Sequence, residues 1–561
     1  MKKLIAIFTS LILVLTLCAT AFATDTADVT LNDSSNRIYK GYKLLKLTTS
    51  LKGEGHHPTA CTDDNHTSDC YNYAYTVNET YRPILQAETL ANGRNELWTT
   101  TGKPSTFEGV TDEQILEYLS YQTGDNGDVY NTMRQVADRI YRAILANEIE
   151  ADASNLSGDS NVTINQGYWM FADVTPLSGN AANSLVVVDT KGQSNLTITP
   201  KTALPTVEKK VKDIEDSEDS SIEDNPWHDS ADHDIGDVVP FKLTATLPSN
   251  AQYYQSYKMV FHDTLSAGLT LDPTSIKVLM YETKHKADVD TDLNDALKDV
   301  TSSFAPIITN PTDGCSFEVA CNNVFTIAGV TKDTAFVVYY KATLNENAVI
   351  GAAGNPNKVY LEFSNNPYGN GTGKTEEDTV IVFTYQLVIN KIDSHNHPLE
   401  GAGFILYKKD VNESKYYVFG LKDSAGNKIQ VPEEENTAKR GEYTGGTTFT
   451  WTGLDDGDYK LVESTVPAGY NPMSAIAFSI SATHDETGDD PKLTVLDGGL
   501  VMGRGDVSTG KITKDIVNNT GVILPETGAK GTLMLIGGGS MFVLVAAVFM
   551  ITRKKMSVYE D

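Results

Sequence analysis

The chain is expected to be a mainly β protein of tandem immunoglobulin-like sandwiches, and three observations carry that expectation. Short runs such as "SLVVVDT", "PFKLTATLP", "AFVVYYKATL", "YQLVINKID" and "YKLVEST" alternate apolar and polar residues, which places the apolar ones on one face of a strand. Gly, Asn, Asp and Pro separate these runs as turns separate the strands of a sandwich. The length, 561 residues, suffices for about three or four domains.

The two ends are apolar. Lys2 and Lys3 precede an apolar stretch from Leu4 to Leu17, and Ala21-Phe22-Ala23 offers a small-x-small cleavage site. Residues 1–23 therefore read as a signal peptide. Leu533 to Ile551 is long enough to span a bilayer, and Arg553, Lys554 and Lys555 behind it hold the tail on the cytoplasmic side. Everything between is expected to be exported. The formal charge of −29 suits a repulsive, soluble surface and argues against nucleic acid, which needs basic faces.

Residues 24–200 form the first expected domain, a sandwich with a helical insertion. In "YNTMRQVADRIYRAILANEI", Met133, Val136, Ala137, Ile140, Ile144 and Leu145 share one helical face. "TDEQILEYLS" before it reads as a shorter helix capped by Thr111 or Asp112. Pro-rich "TPKTALPTVEKK" closes this domain and opens the second, 201–384; the third runs from 385 to 520 and residues 521–561 form the C-terminal signal. The acidic "DIEDSEDSSIEDNPWHDSADHD" reads as a solvated loop, since it lacks the glycine of a calcium loop.

Cys18 leaves with the signal peptide, and the other four cysteines form two close pairs, Cys61/Cys70 and Cys315/Cys321. An even count in an exported chain predicts two local disulfides. His56, His57 and His66 crowd the first pair, but no recognised zinc spacing appears, so no metal or other cofactor is expected. The sequence contains no HExxH, no GxSxG and no phosphate-cradling glycine loop, and an enzyme is not expected.

"LPETG", Leu524 to Gly528, stands just ahead of the apolar span and basic tail. That three-part arrangement resembles the cell-wall sorting signal of Gram-positive surface proteins. The resemblance implies that sortase, a membrane transpeptidase, recognises Leu524, Pro525, Glu526, Thr527 and Gly528. It would cleave after Thr527 and pass the acyl group to an amine. "LTITPKTALPTVEKKV" resembles the pilin motif of major pilins, with Lys201 as that amine; Thr199 and Thr202 stand where Tyr and Asn are commoner. "YKLVESTVPAGY" resembles the pilin E-box, with Glu463 in the key position, and "PLEGAGFILYKK" resembles the opening of a Cna-B domain.

Together these motifs resemble the sortase-assembled backbone pilins. The resemblance implies other copies of the chain, sortase and a peptidoglycan precursor as partners, with ancillary pilins and host ligands further possibilities. It implies a pilus covalently anchored to the wall. A wall-anchored adhesin or tip pilin that binds a host ligand is the alternative, and Lys201 favours the shaft.

The family's sandwiches contain amide bonds between Lys and Asn side chains. Burial disfavours the charged forms of both a lysine and a neighbouring acid, so a neutral amine can attack while a neutral acid moves protons. In the third domain, expected to be Cna-B-like, Glu463 is the implied acid. Lys391 alternates with Leu387 and Ile389, and Asn518 lies on the last strand; Asn519 should face away. In the second domain, expected to be Cna-A-like, Lys209 shares a face with Val207 and Val211. Asp237 is the expected acid, and Asn365, in phase with Leu361 and Phe363, the expected amide. No triad is apparent in the first domain.

Overall fold

Period-2 alternation does produce strands throughout. The computed structural model describes residues 26–520 except 33–36, 52–70, 100, 121–132, 159–160, 178, 194, 200–202, 214–225, 308–310, 312, 411–412 and 425–428. The expected signal peptide and membrane span, Lys201, Cys61, Cys70 and Leu524 to Gly528 lie outside the described residues. Among the described residues, no helix is long and apolar enough to cross a membrane.

Among the described residues, the first domain contains two sheets. In one, Thr26–Leu31 pairs antiparallel with Asn161–Asn165 and parallel with Asn195–Ile198. In the other, Ile38–Leu51 lies between Tyr71–Val77 and Gly167–Asp173, with Leu185–Asp189 beyond. Three helices cover that second sheet. Met133–Ala146 buries Val136, Ala137, Ile140 and Ile144 as its spacing requires, but Tyr141 completes the face and Leu145 points outward. Thr111 caps Asp112–Ser120 through a capping box: its hydroxyl accepts from Gln114 N, and the Gln114 side chain accepts from Thr111 N. Arg82–Asn92, with a proline in its first turn, is a helix that alternation alone did not reveal.

The middle domain is a sandwich of two large sheets. One runs Trp227–His228, Val207–Lys212, Val238–Thr246, Ala335–Leu344, Leu269–Tyr281, Lys298–Asp299. The other runs Ser230–Asp232, Asp378–Phe383, Asn355–Ser364, Met259–Leu265, Phe317–Cys321, Ala305–Ile307, with Thr372–Lys374 on Asn355–Ser364. Phe241, Leu243, Phe261, Phe317, Val338, Leu361 and Phe363 are among the fully buried residues between them. The end of the acidic segment departs from its expected solvated state, because Ser230–Asp232 enters this sheet and Asp232 and Asp234 are buried; residues 214–225 lie outside the described residues.

Cys315 and Cys321 are both free, so the expected disulfide between them is overturned. The strand Phe317–Cys321 is the reason: it carries Cys321 into the core between the sheets, whereas Cys315, in the turn before it, lies against His262 on the outer face.

The third domain packs a three-stranded sheet, Thr448–Leu454, Tyr385–Asp393, Lys511–Asn518, on a larger one. The larger sheet runs Lys415–Val418, Gly403–Asp410, Gly457–Thr465, Ile476–His484, Leu493–Asp497, with Tyr443–Thr444 on Gly403–Asp410. Leu387, Ile389, Phe404, Leu406, Trp451, Leu461 and Ile480 lie in the core between the sheets. The opening strand follows the last strand of the middle domain after a single residue, Thr384, whose hydroxyl donates to Leu454 O at 3.1 Å. Buried charges brace this joint. Lys408 Nζ lies 2.9 Å from Asp234 and 3.4 Å from Asp455, and Asp455 N donates to Asp234 at 2.9 Å. Burial pushes the Asp455 carboxyl well up, with Lys408 opposing. Gly351 and Gly510 meet backbone to backbone here; a Cβ on Gly351 would stand 2.4 Å from Gly510 N.

Candidate functional site

Alternation along Tyr385–Asp393 turns Leu387, Ile389 and Lys391 into the core, and all three are fully buried. The final strand, Lys511–Asn518, runs parallel to it with Asp393 opposite Asn518, so the first and last strands of the domain lie side by side. Ile512, Ile516 and Asn518 face inward, and Asn519 is exposed. Glu463 projects from Gly457–Thr465 in the other sheet. The three predicted residues thus meet. Lys391 Nζ lies 2.5 Å from Asn518 Oδ1 and 3.4 Å from Glu463 Oε1. Asn518 Nδ2 donates to the same Glu463 oxygen at 2.8 Å, and Met473 N donates to the other at 3.0 Å. The Lys391 and Glu463 side chains have no solvent exposure. Burial pulls the Lys391 ammonium below its usual range, against the opposing pull of Glu463.

The middle domain builds a second group around Lys209, but with different partners from those expected. Lys209 Nζ lies 2.5 Å from Asp263 Oδ2, 2.6 Å from Asn357 Oδ1 and 3.0 Å from the Tyr340 hydroxyl. Tyr340 donates to Asp263 at 2.9 Å and accepts from Asn357 Nδ2 at 2.7 Å. All four residues have zero exposure. The rings of Phe241 and Tyr340 stand 5.7 and 5.6 Å from the amine. Burial pulls Lys209 down to about 8 and pushes Asp263 up, with the mutual attraction opposing both. Asp263 Oδ1 has no hydrogen-bond partner among the described residues, which suits a neutral carboxyl.

Asp237 and Asn365 are corrected by strand geometry. Lys209 pairs with Leu243, whereas Asp237 lies in the turn before Val238, about 20 Å back along the strand. Asn365 shares the inward phase of Leu361 and Phe363, yet it follows the strand's last residue, Ser364, about 23 Å beyond Asn357. It sits instead against the first domain, where its carbonyl accepts from Asn183 N at 2.9 Å. The signal for the true partners was available. Asp263 is in phase with Met259 and Phe261, and Asn357 with Val359 and Leu361, so each is a polar residue on an apolar stripe. Asn355 shares that stripe, but its amide is committed to Val349 and Val382 backbone groups.

The chemistry open to both groups is the same. A lysine amine, an asparagine amide and a carboxyl group converge without water access, and their charged forms are disfavoured by burial. Attack of Nζ on Asn Cγ would form an amide and expel the Asn nitrogen as ammonia, with the acid carrying protons between them.

Comparison with known proteins matches parts of the two domains that carry these groups, leaving Asn518 and Lys209 outside the matched ranges. Residues 385–492 match the family described as SpaA, prealbumin-like fold domain. Residues 235–367 match the Gram-positive pilin backbone subunit 2, Cna-B-like domain, in the stretch where a Cna-A-like sandwich was expected. The trypsin-resistant surface T6 protein of Streptococcus pyogenes serotype M6 is 26% identical over 434 residues, covering 67% of this chain and 75% of that protein. Among solved structures, the T6 backbone pilin of the same serotype has a TM-score of 0.45 at 18% identity, covering 89% of this chain and 98% of that one. The major pilin subunit BcpA of Bacillus cereus has a TM-score of 0.34 at 16% identity, covering 66% and 92%.

Proposed function

We propose that this chain, built from Gram-positive pilin modules, is the structural backbone subunit of a covalent surface pilus and not an enzyme. Sortase joins Thr527 of one subunit to Lys201 of the next, and wall precursor ends the polymer. Within each subunit, Lys391 joins Asn518 with Glu463 as the acid, and Lys209 joins Asn357 with Asp263 as the acid. One observation carries this reading: a fully buried lysine–acid–asparagine group recurs in two consecutive sandwiches, and in the third it lies between the first and last strands. A load-bearing shaft needs that placement, because force enters and leaves a sandwich through its terminal strands. Non-covalent hydrogen bonds, each worth about 1 kcal/mol net, would otherwise carry the pull.

Cell-wall extracts test the assembly. The native chain should give an SDS-resistant ladder of multimers, and Lys201→Ala should leave only anchored monomer. Lys201→Arg should fail equally, since a guanidinium stays protonated and cannot attack a thioester. A full ladder from Lys201→Ala cells would remove Lys201 from the mechanism.

A further inference from the structure

The outer face of the middle domain's second sheet carries a cluster that neither crosslink uses. Three adjacent strands set Glu318, His262 and Tyr360 side by side, since His262 is opposite Glu318 on one neighbour and opposite Tyr360 on the other. His262 is buried, as is Cys315, and the turn before Phe317 folds Asp313 and Cys315 over the imidazole. His262 Nδ1 stands 2.7 Å from Asp313 Oδ2, 3.6 Å from Glu318 Oε1 and 4.0 Å from Cys315 Sγ. The other ring nitrogen, Nε2, lies 3.3 Å from Glu362, and Tyr360 stacks on the ring at 4.4 Å with its hydroxyl donating to Asp313.

We propose that His262 Nδ1, Cys315 Sγ and the carboxylates of Asp313 and Glu318 form a binding site for a divalent transition-metal ion of the zinc class. The ligand atoms of all four residues lie within 4.8 Å of one another. Bonds of about 2.0–2.3 Å to a tetrahedral ion put ligand atoms about 3.3–3.7 Å apart, so the His262 distances bracket the required edge. A nitrogen, a sulfur and two oxygens suit zinc or cobalt, whereas calcium and magnesium take oxygen.

The surroundings also fit. In the tautomer with its proton on Nε2, His262 donates to Glu362 and turns the Nδ1 lone pair toward the cluster; a carboxylate behind a ligating histidine is the usual orienting partner. Three carboxylates surround this one imidazole, and Lys258 offsets only Glu362, at 2.7 Å. The pocket therefore has an excess of negative charge that a dication would neutralise. Asp313, with a side chain 28% exposed, is the side open to entry. Binding replaces the Cys315 S–H proton with the ion and releases that proton to solvent.

Cobalt(II) titration of the mature protein tests the site, because a tetrahedral thiolate complex gives a sulfur-to-metal charge-transfer band and intense d–d absorption. Native protein should show both and exchange cobalt for zinc. Cys315→Ser should abolish the charge-transfer band and weaken binding at least tenfold, while Cys321→Ser, in the core, should leave both unchanged. Glu362→Gln should keep the band and weaken affinity by about 10–100-fold. Excess calcium should not displace cobalt. A band that survives in Cys315→Ser would place the thiolate elsewhere and overturn the proposal. So would binding without a charge-transfer band, displacement by calcium, or no binding.

Discussion

The two buried lysine groups reach the same chemistry with carboxylates of different length. Glu463 spans both partners itself: one oxygen lies within reach of the Lys391 amine and accepts from the Asn518 amide. Asp263 is one methylene shorter and touches only the Lys209 amine and the Tyr340 phenol; the phenol in turn meets the Asn357 amide. The middle domain thus inserts a hydroxyl where the third uses side-chain length. A short acid requires a relay, and a long one does not.

Removing the acids breaks this comparison most severely. The native ectodomain should weigh about 34 Da less than its sequence predicts, two ammonia molecules, and Glu463→Ala or Asp263→Ala should each restore about 17 Da. The proposed crosslinks would close loops of 128 residues (391 to 518) and 149 residues (209 to 357), worth about 5 kcal/mol each in the chain-entropy picture. Asp263→Ala also leaves Lys209 buried without its carboxylate, a further loss of about 3–5 kcal/mol. Each variant should melt lower and become protease-sensitive in its own domain, yet Glu463→Ala should still polymerise through Lys201. Intact mass that still lacks both ammonia molecules would exclude the acids from the reaction.

Tyr340→Phe sharpens the comparison with a smaller effect. The ring and its packing remain, but the relay between Asp263 and the amide is lost. Middle-domain bond formation should slow by about tenfold, the equivalent of one hydrogen bond, while the third domain reacts at its native rate. Intact mass taken at intervals after a short burst of synthesis reads both. An unchanged middle-domain rate would exclude the phenol.

The smallest effect is electrostatic. In Asn357→Ala the amine stays free, with its folded value pulled down to about 8 from 10.5. Between those limits the unfolded chain binds more protons than the folded one, so stability should rise with pH, by at most about 1.4 kcal/mol per pH unit. Native protein, with Lys209 in the proposed amide, should show a correspondingly shallower slope in chemical denaturation from pH 8 to 10, since Lys242, likewise pulled down to about 8, contributes equally to both proteins. Equal slopes would mean that Lys209 is unreacted in the native chain.

Sequence legibility followed the same division. Lys391, Glu463 and Asn518 could be located because each sits in a motif or at a chain-terminal strand, where alternation and position agree. Alternation also turned Lys209 inward. It could not select Asn357 over Asn365, since both have the inward phase and only the packing of one sheet on the other decides which meets Lys209. Asp263 carries no motif and stands mid-strand in phase with Met259 and Phe261, whereas Asp237 lies in a turn. Cys315 and Cys321 looked paired through closeness in sequence, but the strand carries Cys321 into the core and leaves Cys315 on the outer face. The sandwiches themselves were legible throughout, because period 2 survives in nearly every strand.

The single-residue joint at Thr384 bears on how the proposed fibre would respond to flow. One residue contributes at most about 3.6 Å of contour even when fully extended, so the connection has almost no slack to pay out. The buried Lys408 bridge and the Gly351–Gly510 backbone contact also oppose bending there. A shaft of such pairs is a stiff rod across this junction, and its elastic compliance must reside in other segments of each repeat.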